Sequence, residues 1–292
     1  MSLCVFDVSF SFEVRSKSER GSVVSEPRLN LSLTSISAQF GRVVVVSPHM
    51  DDAILSCGGL LSRLLPVIDC LTVTVCTADP AGVNSDHPPH GIALPSLRRN
   101  EEVRALRALG CPLMQLDLLD AIYRENTHTK SPLYPTMQSL WTMPVDADSV
   151  HRQELRNRLL PISKPVGDRP TLFVTPMGIG HHVDHILCTQ VVLSIVSSTD
   201  HVLLYEDFPY VVDQGAHVGL ADNAQNALRR LNVRGVECLT QECDLESKVS
   251  WISCYESQID SIFGSAEHVR PMLMKNSMNG HTVERFWKIQ KI

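Results

Sequence analysis

No stretch of the chain reaches the roughly 18 consecutive apolar residues that a membrane-spanning helix requires, because polar or charged residues interrupt every hydrophobic run. An integral membrane segment is therefore not expected. There is no basic excess either: 26 Lys and Arg stand against 32 Asp and Glu, a formal charge of −6. Such a surface has no patch to condense on a phosphate backbone or anionic lipid, which argues against nucleic acid as a partner and for a small molecule. The nine cysteines contain no CxxC pair. Cys57, Cys70, Cys76 and Cys188 fall inside apolar segments, where a thiol behaves as a small hydrophobe, so no disulfide framework is expected. The apolar opening from Met1 to Phe12 is broken by Asp7 and has no basic residues ahead of it, which points away from a secretory signal and toward the cytoplasm.

What is present is an ordinary globular composition, 43% apolar and 20% charged over 292 residues, enough for one large α/β core. Residues 1–40 are Ser-rich, carry a charged stretch from Arg15 to Arg20 and lack sustained periodicity, so they read as an N-terminal extension to a domain spanning 41–292. From Arg42 the text changes. Val43 to Val46 is a continuous β-branched run of the kind found in strands buried on both faces of a parallel sheet. Ala53 to Leu65 follows with apolar residues at helical spacing, and Gly58 and Gly59 allow close backbone approach. Cys70 to Cys76 reads as a second strand, Asp79 to His90 as a polar loop, and Ser96 to Leu109 as a helix stopped by Gly110. Further strands are expected at Met114–Leu118, Thr171–Thr175 and Val202–Tyr205, with helices around Val150–Leu160 and Val183–Val196. This alternation predicts a Rossmann-like α/β fold, a mostly parallel sheet flanked by helices, with ligands beyond the carboxyl ends of the strands. A dinucleotide is not the expected ligand, since no GxGxxG follows the first strand and the turn there holds His and Asp instead.

Two polar clusters occupy such strand ends. Ser47-Pro48-His49-Met50-Asp51-Asp52 follows the valine run, and an imidazole with two carboxylates on one tight turn can bind a divalent cation while sparing one carboxylate for a water. The competing expectation is that Asp51 and Asp52 only cap the following helix. Gly178-Ile179-Gly180-His181-His182-Val183-Asp184-His185 follows the Thr171–Thr175 strand. His182 and His185, three apart at a helix start, share a face. With His49, one Asp and His185 as ligands, a fourth position stays open for water and His182 is left to act on the substrate.

Pro48-His49-Met50-Asp51-Asp52 and His182-Val183-Asp184-His185 resemble the two motifs of the LmbE-like (PIG-L) N-deacetylases. Arg98 to Gly110, Leu116 to Arg124, Tyr205 to Tyr210 and Lys248 to Gln258 extend the resemblance across roughly residues 40–290. It implies one zinc held by His49, Asp52 and His185, Asp51 as general base and His182 as the oxyanion donor. It implies an enzyme that removes an acyl group, acetyl in the simplest case, from an N-acylated amino sugar or sugar conjugate. Met50, where the family usually has Pro, and Ala53, where many members have an acid, depart from the pattern without removing a ligand or the base. Arg98 and Asp120 are the candidate substrate contacts, while Tyr123 and Arg124, which could also reach sugar hydroxyls or a phosphate at the rim, are expected to be solvated. Asp184 is left open between steering a ligand and capping its helix. A metal-dependent esterase and a catalytically silent sugar-binding protein are the alternatives, and a homo-oligomer is left open.

Overall fold

The computed structural model describes residues 28–29, 32–81, 93–213 and 222–291. The extension up to residue 27 and the loop expected at Asp79–His90, from residue 82 onward, lie outside them. In chain order the elements are β1 (Arg28–Leu29), α1 (Leu33–Gln39), β2 (Arg42–Ser47), α2 (Asp52–Leu64), β3 (Cys70–Cys76), α3 (Pro95–Leu109), β4 (Leu113–Leu118) and α4 (Ser149–Leu159). They continue with β5 (Thr171–Pro176), α5 (Val183–Ile195), β6 (Val202–Tyr205), α6 (Tyr210–Asp213), α7 (Ala224–Arg230) and β7 (Val233–Glu242). The chain closes with α8 (Leu245–Ile252), α9 (Glu256–Phe263), α10 (Val269–Lys275), β8 (Ser277–Met278) and β9 (His281–Lys291).

The sheet order is β1-β7-β9-β6-β5-β2-β3-β4, with β8 beside β9. β2, β3, β4, β5 and β6 run parallel, while β9 lies antiparallel to both β6 and β7. The expectation of a mostly parallel sheet holds, and β9 is the strand that departs from it. The valine run explains the two-sided burial of β2. Val43 and Val45 pack into the layer that includes α2 and the inner faces of α8, α9 and α10, whereas Val44 and Val46 pack into the layer with α4, α5 and α7. Ile36 of α1 and Phe40 after it belong to the first layer, so the packed body reaches back at least to Leu33.

Gly59 shows why α2 needs a residue without a side chain. A Cβ there would stand 2.6 Å from that of Cys243. The close approach lets Glu284 of β9 accept from the backbone N–H groups of Gly59 and Leu60 at 2.8 Å each, while its other partner is the buried Lys248 of α8. One carboxylate thus ties α2, α8 and β9 together.

The strand order also fixes where ligands go. From β2 the chain moves outward through β3 and β4, then returns to place β5 on the other side of β2 and β6 beyond it. The connections after β2 and β5 therefore part in opposite directions, and the crevice between them is the topological switch point of the sheet.

Candidate active site

The turn after β2 is built by its own short side chains. The Ser47 hydroxyl donates to the His49 carbonyl at 2.6 Å and accepts from the Ala53 N–H at 2.9 Å. Asp52 Oδ2 accepts from the His49 N–H at 2.7 Å. These bonds pin the turn without the ring of a proline at position 50, where Met50 is buried instead. Asp51 stands at the N-cap position of α2, yet its side chain makes no capping bond. It faces Arg98 of α3, whose Nη2 lies 3.3 Å from Asp51 Oδ1. Burial raises the pKa of Asp51 from its ordinary value against the opposing pull of Arg98. The capping expectation therefore fails for Asp51, which is held as a buried, unspent carboxylate.

The loop after β5 turns through three left-handed residues, Gly178 at φ 78°, Gly180 at φ 89° and His181 at φ 67°. Two of these are glycines, which adopt that conformation without steric cost. Two buried carboxylates from elsewhere in the chain hold the loop. Asp207, after β6, accepts from the Ile179 N–H at 2.8 Å, and Asp222 accepts from the Gly180 N–H at 2.9 Å. Arg230 of α7 clamps Asp222 through both terminal nitrogens, at 2.8 and 3.1 Å, and donates to the Gly178 carbonyl at 2.6 Å. His181 lies against the same guanidinium, 2.7 Å away.

The loop delivers His182 and His185 beside the β2 turn. The three rings of His49, His182 and His185 have centroids 4.8 to 5.4 Å apart. One nitrogen from each lies within 4.8 Å of the others. Asp52 Oδ2 is 3.4 Å from His49 Nδ1 and 3.4 Å from His185 Nε2. His185 Nε2 is buried and accepts or donates no hydrogen bond, while its Nδ1 lies 2.6 Å from Asp207 Oδ1. His49 Nε2 faces away from that group, 3.2 Å from Asp184 Oδ2 and 3.5 Å from Asp120 Oδ2. Asp184 is itself held by the buried Arg124 and by the Ala121 N–H at 3.1 Å. The Asp184 carboxylate thus lies against His49, Ala121 and Arg124, and among the described residues it makes no capping bond to its own helix.

His182 is set apart from the other two rings. Its Nδ1 accepts from the Asp184 N–H at 3.3 Å, which leaves the ring proton on Nε2. Burial lowers its pKa well below the ordinary histidine value, so the ring is neutral and donates from Nε2. Trp141 stands edge-on to it at 4.9 Å and to Tyr210 at 5.4 Å. A second trio of potential ligands, His49, Cys76 and Asp184, is a poor cation site, because Arg124 already occupies Asp184 and burial pushes the Cys76 thiol up.

All of the sequence-selected residues except His185 line one cavity of about 440 Å³: His49, Asp51, Asp52, Arg98, Asp120 and His182. His185 sits behind them, 1% exposed. The walls add Leu55, Ile122, Leu140, Trp141, Phe208 and Tyr210, and helix α9 contributes Ser257, Gln258, Ser261 and Ile262. Arg124, expected to be solvated, is 4% exposed and bridges Asp148 and Asp184. Asp207, Asp222, Arg230 and Arg124 were missed as site residues. Of these only Asp207 and Arg124 lie in segments that the sequence marks at all.

The family model for the GlcNAc-PI de-N-acetylases (PIG-L) matches residues 44–196. The chain is similar to a 2'-N-acetylparomamine deacetylase of Niallia circulans, 32% identical over 189 residues, which is 56% of this chain and 66% of that one. It is also similar to a 2'-N-acetylparomamine deacetylase of Streptomyces fradiae, 30% identical over 182 residues, 60% of each chain. The matched stretch thus spans somewhat less than two thirds of these curated relatives. Among solved structures, the zinc-inhibited form of a teicoplanin deacetylase superposes with a TM-score of 0.65 at 24% identity, over 86% of this chain and 98% of that one, and shares the fold.

Proposed function

Because the chain belongs to the PIG-L family of GlcNAc-PI de-N-acetylases, we propose that it is a zinc-dependent N-deacetylase that hydrolyses the amide of an N-acetylated amino sugar or sugar conjugate. One observation carries the reading: Asp52 Oδ2 stands 3.4 Å from both His49 Nδ1 and the unpartnered His185 Nε2. Ligand atoms about 2.0–2.2 Å from a tetrahedral zinc are separated by roughly 3.3–3.5 Å, a spacing that both of these distances match. A buried imidazole nitrogen with no partner is otherwise an uncompensated cost.

His49, Asp52 and His185 would hold the metal. When bound in such a set, zinc polarises an amide carbonyl and lowers the pKa of water toward ~7. Asp51 would take the proton of the attacking water: it lies beside the ligand turn and is not spent on capping. Arg98 keeps its carboxylate oriented. The neutral His182 presents Nε2–H as a donor to the oxygen on which charge develops, a contact typically worth ~2.7–4 kcal/mol of barrier. Asp51, once protonated, returns the proton to the leaving amine. The products are a carboxylic acid, acetate in the simplest case, and a free amine.

Support for a sugar comes from the walls. Trp141 and Tyr210 form an aromatic corner beside His182, while Arg98, Asp120 and Gln258 supply polar groups, the mixture that a pyranose with apolar and hydroxylated faces requires. The two curated relatives are 2'-N-acetylparomamine deacetylases by their names. The test is metal content by elemental analysis of wild type and His185→Ala, with amine release from a panel of N-acetylated sugars. About one zinc per chain, lost in the variant, with amine release abolished by Asp51→Asn, is the expected result. Protein that takes up no metal on supplementation and releases no amine overturns it.

A further inference from the structure

The cavity wall contributed by α9 carries a hydrogen-bond acceptor whose direction is set by a buried relay. Glu101 of α3, 1% exposed, accepts twice from Ser257: its Oε1 from the backbone N–H at 2.8 Å and its Oε2 from the hydroxyl at 2.6 Å. A carboxylate has no proton to give, so the Ser257 hydroxyl spends its proton on Glu101 and keeps only lone pairs for its other neighbour. That neighbour is the Gln258 side-chain amide, whose Nε2 donates to Ser257 Oγ at 2.9 Å. The relay therefore fixes which end of the amide points where. An amide is otherwise free to turn over, presenting either a donor or an acceptor.

Gln258 is 93% buried and lines the cavity that holds Asp51 and His182. Among the described residues, no group donates to its carbonyl Oε1, in contrast to its Nε2. An amide whose nitrogen is tied back to the protein and whose oxygen is not presents that oxygen to whatever fills the cavity. Arg98 supplies donors and Asp51 and Asp52 carry charge, so a neutral acceptor adds a different selectivity to the site.

We infer that Gln258, oriented by Ser257 and Glu101, is a specificity-determining residue that accepts a hydrogen bond from one hydroxyl or amino group of the sugar ring being deacetylated. The inference rests on the proposed deacetylase reading for its substrate class and concerns recognition, while the chemistry stays with Asp51 and His182. A site built to pair a substrate donor discriminates strongly against an analogue lacking it, because the protein group is then left desolvated and unpaired.

The experiment measures kcat/KM on N-acetylglucosamine and its 3-deoxy, 4-deoxy and 6-deoxy analogues, with wild type, Gln258→Leu, Gln258→Glu and Ser257→Ala. Wild type is expected to lose about tenfold on one analogue, Gln258→Leu to lose nothing further on that same analogue, and Ser257→Ala to narrow the difference by releasing the amide. Retained melting temperature in the variants, together with unchanged turnover of the discriminated analogue by Gln258→Leu, separates recognition from a folding defect. The same matrix run with the amino-for-hydroxyl sugars decides the donor: preference for the ammonium form in Gln258→Glu identifies an amino group, and no such preference a hydroxyl. Discrimination that persists undiminished in Gln258→Leu, or is absent from wild type, overturns the inference. Dissociation constants for the same sugars by calorimetry score it without turnover, so a protein that binds with this pattern but releases no amine defeats the deacetylase reading alone, and one that binds none of the sugars defeats the inference as well.

Discussion

Asp207 Oδ1 lies 2.6 Å from Nδ1 of His185, and the far nitrogen of the same ring is the one buried nitrogen of the candidate ligand group left without a partner. The carboxylate fixes the ring so that its lone pair, and not its proton, faces Asp52. Asp207 also holds the loop that carries His182 through the Ile179 N–H. Asp207→Asn, which can no longer accept as a charge, is expected to weaken zinc affinity 10- to 100-fold while keeping the fold. Competition against a chromophoric chelator measures this, and unchanged affinity would show that the contact does not tune the metal.

If His182 acts as proposed, His182→Ala is expected to reduce kcat by roughly 10²–10³ with KM nearly unchanged, because its Nε2–H would serve charge that develops only during reaction. Zinc content should stay at the wild-type value. Loss of metal from this variant would instead place His182 among the ligands, as the close packing of the three imidazoles permits.

Arg230 makes no contact with the cavity, yet it clamps Asp222 and the Gly178 carbonyl at the base of the loop ahead of His182. Arg230→Ala is expected to lower kcat by about tenfold with metal content retained, since a misplacement of order 1 Å at a catalytic donor costs up to ~10² in rate. Arg230→Lys should recover part of the loss. Steady-state kinetics with metal analysis check both, and a change confined to KM would rule out the positioning role.

Glu102 of α3 is fully buried, with Thr74 and Gln115 donating to its two oxygens, and burial pushes its pKa up to about 8. Its folded value lies above its unfolded value near 4.5, so the folded state holds the proton that the unfolded state has lost between those two pH values. The contribution to stability is fully present below about pH 4.5 and is lost as pH rises through about 8. Glu102→Gln keeps the shape without the ionisation, given that Gln115 turns its amide to match. Its melting temperature should exceed that of wild type at pH 8 and converge on it, or fall below it, at pH 5. An equal offset at both pH values would mean that Glu102 is ionised in the folded protein.

The parts legible in the sequence were those written locally. Val43–Val46 and Thr171–Thr175 announce buried strands by their composition, and His49 and Asp52 directly follow one strand end while His185 opens the helix after the other, where an α/β sheet gathers ligands. The supporting charges were not legible for the opposite reason. Asp207 reaches His185 from 22 residues away, and Arg124 reaches Asp184 from 60. A lone Asp or Arg looks like a solvated residue until the fold brings its partner to it. The same holds for Gln258, whose meaning depends on Glu101, 156 residues distant from Ser257. Strand β9 was missed because its pairing is with β6 and β7 in the antiparallel sense, after a long helical stretch that offers no β-α alternation to follow.

The switch point between β2 and β5 divides the molecule's labour in a way that bears on how its selectivity can change. All three candidate ligands hang from the ends of two neighbouring strands, whereas Trp141, Tyr210 and Gln258 arrive on connections that carry none of them. Substitutions in those walls can accumulate without moving a ligand atom. If the proposed deacetylase reading holds, a chain of this design could drift from one acylated amine to another while its reaction stays the same, and libraries confined to residues 137–141, 208–210 and 257–262 are the place to look for new substrates.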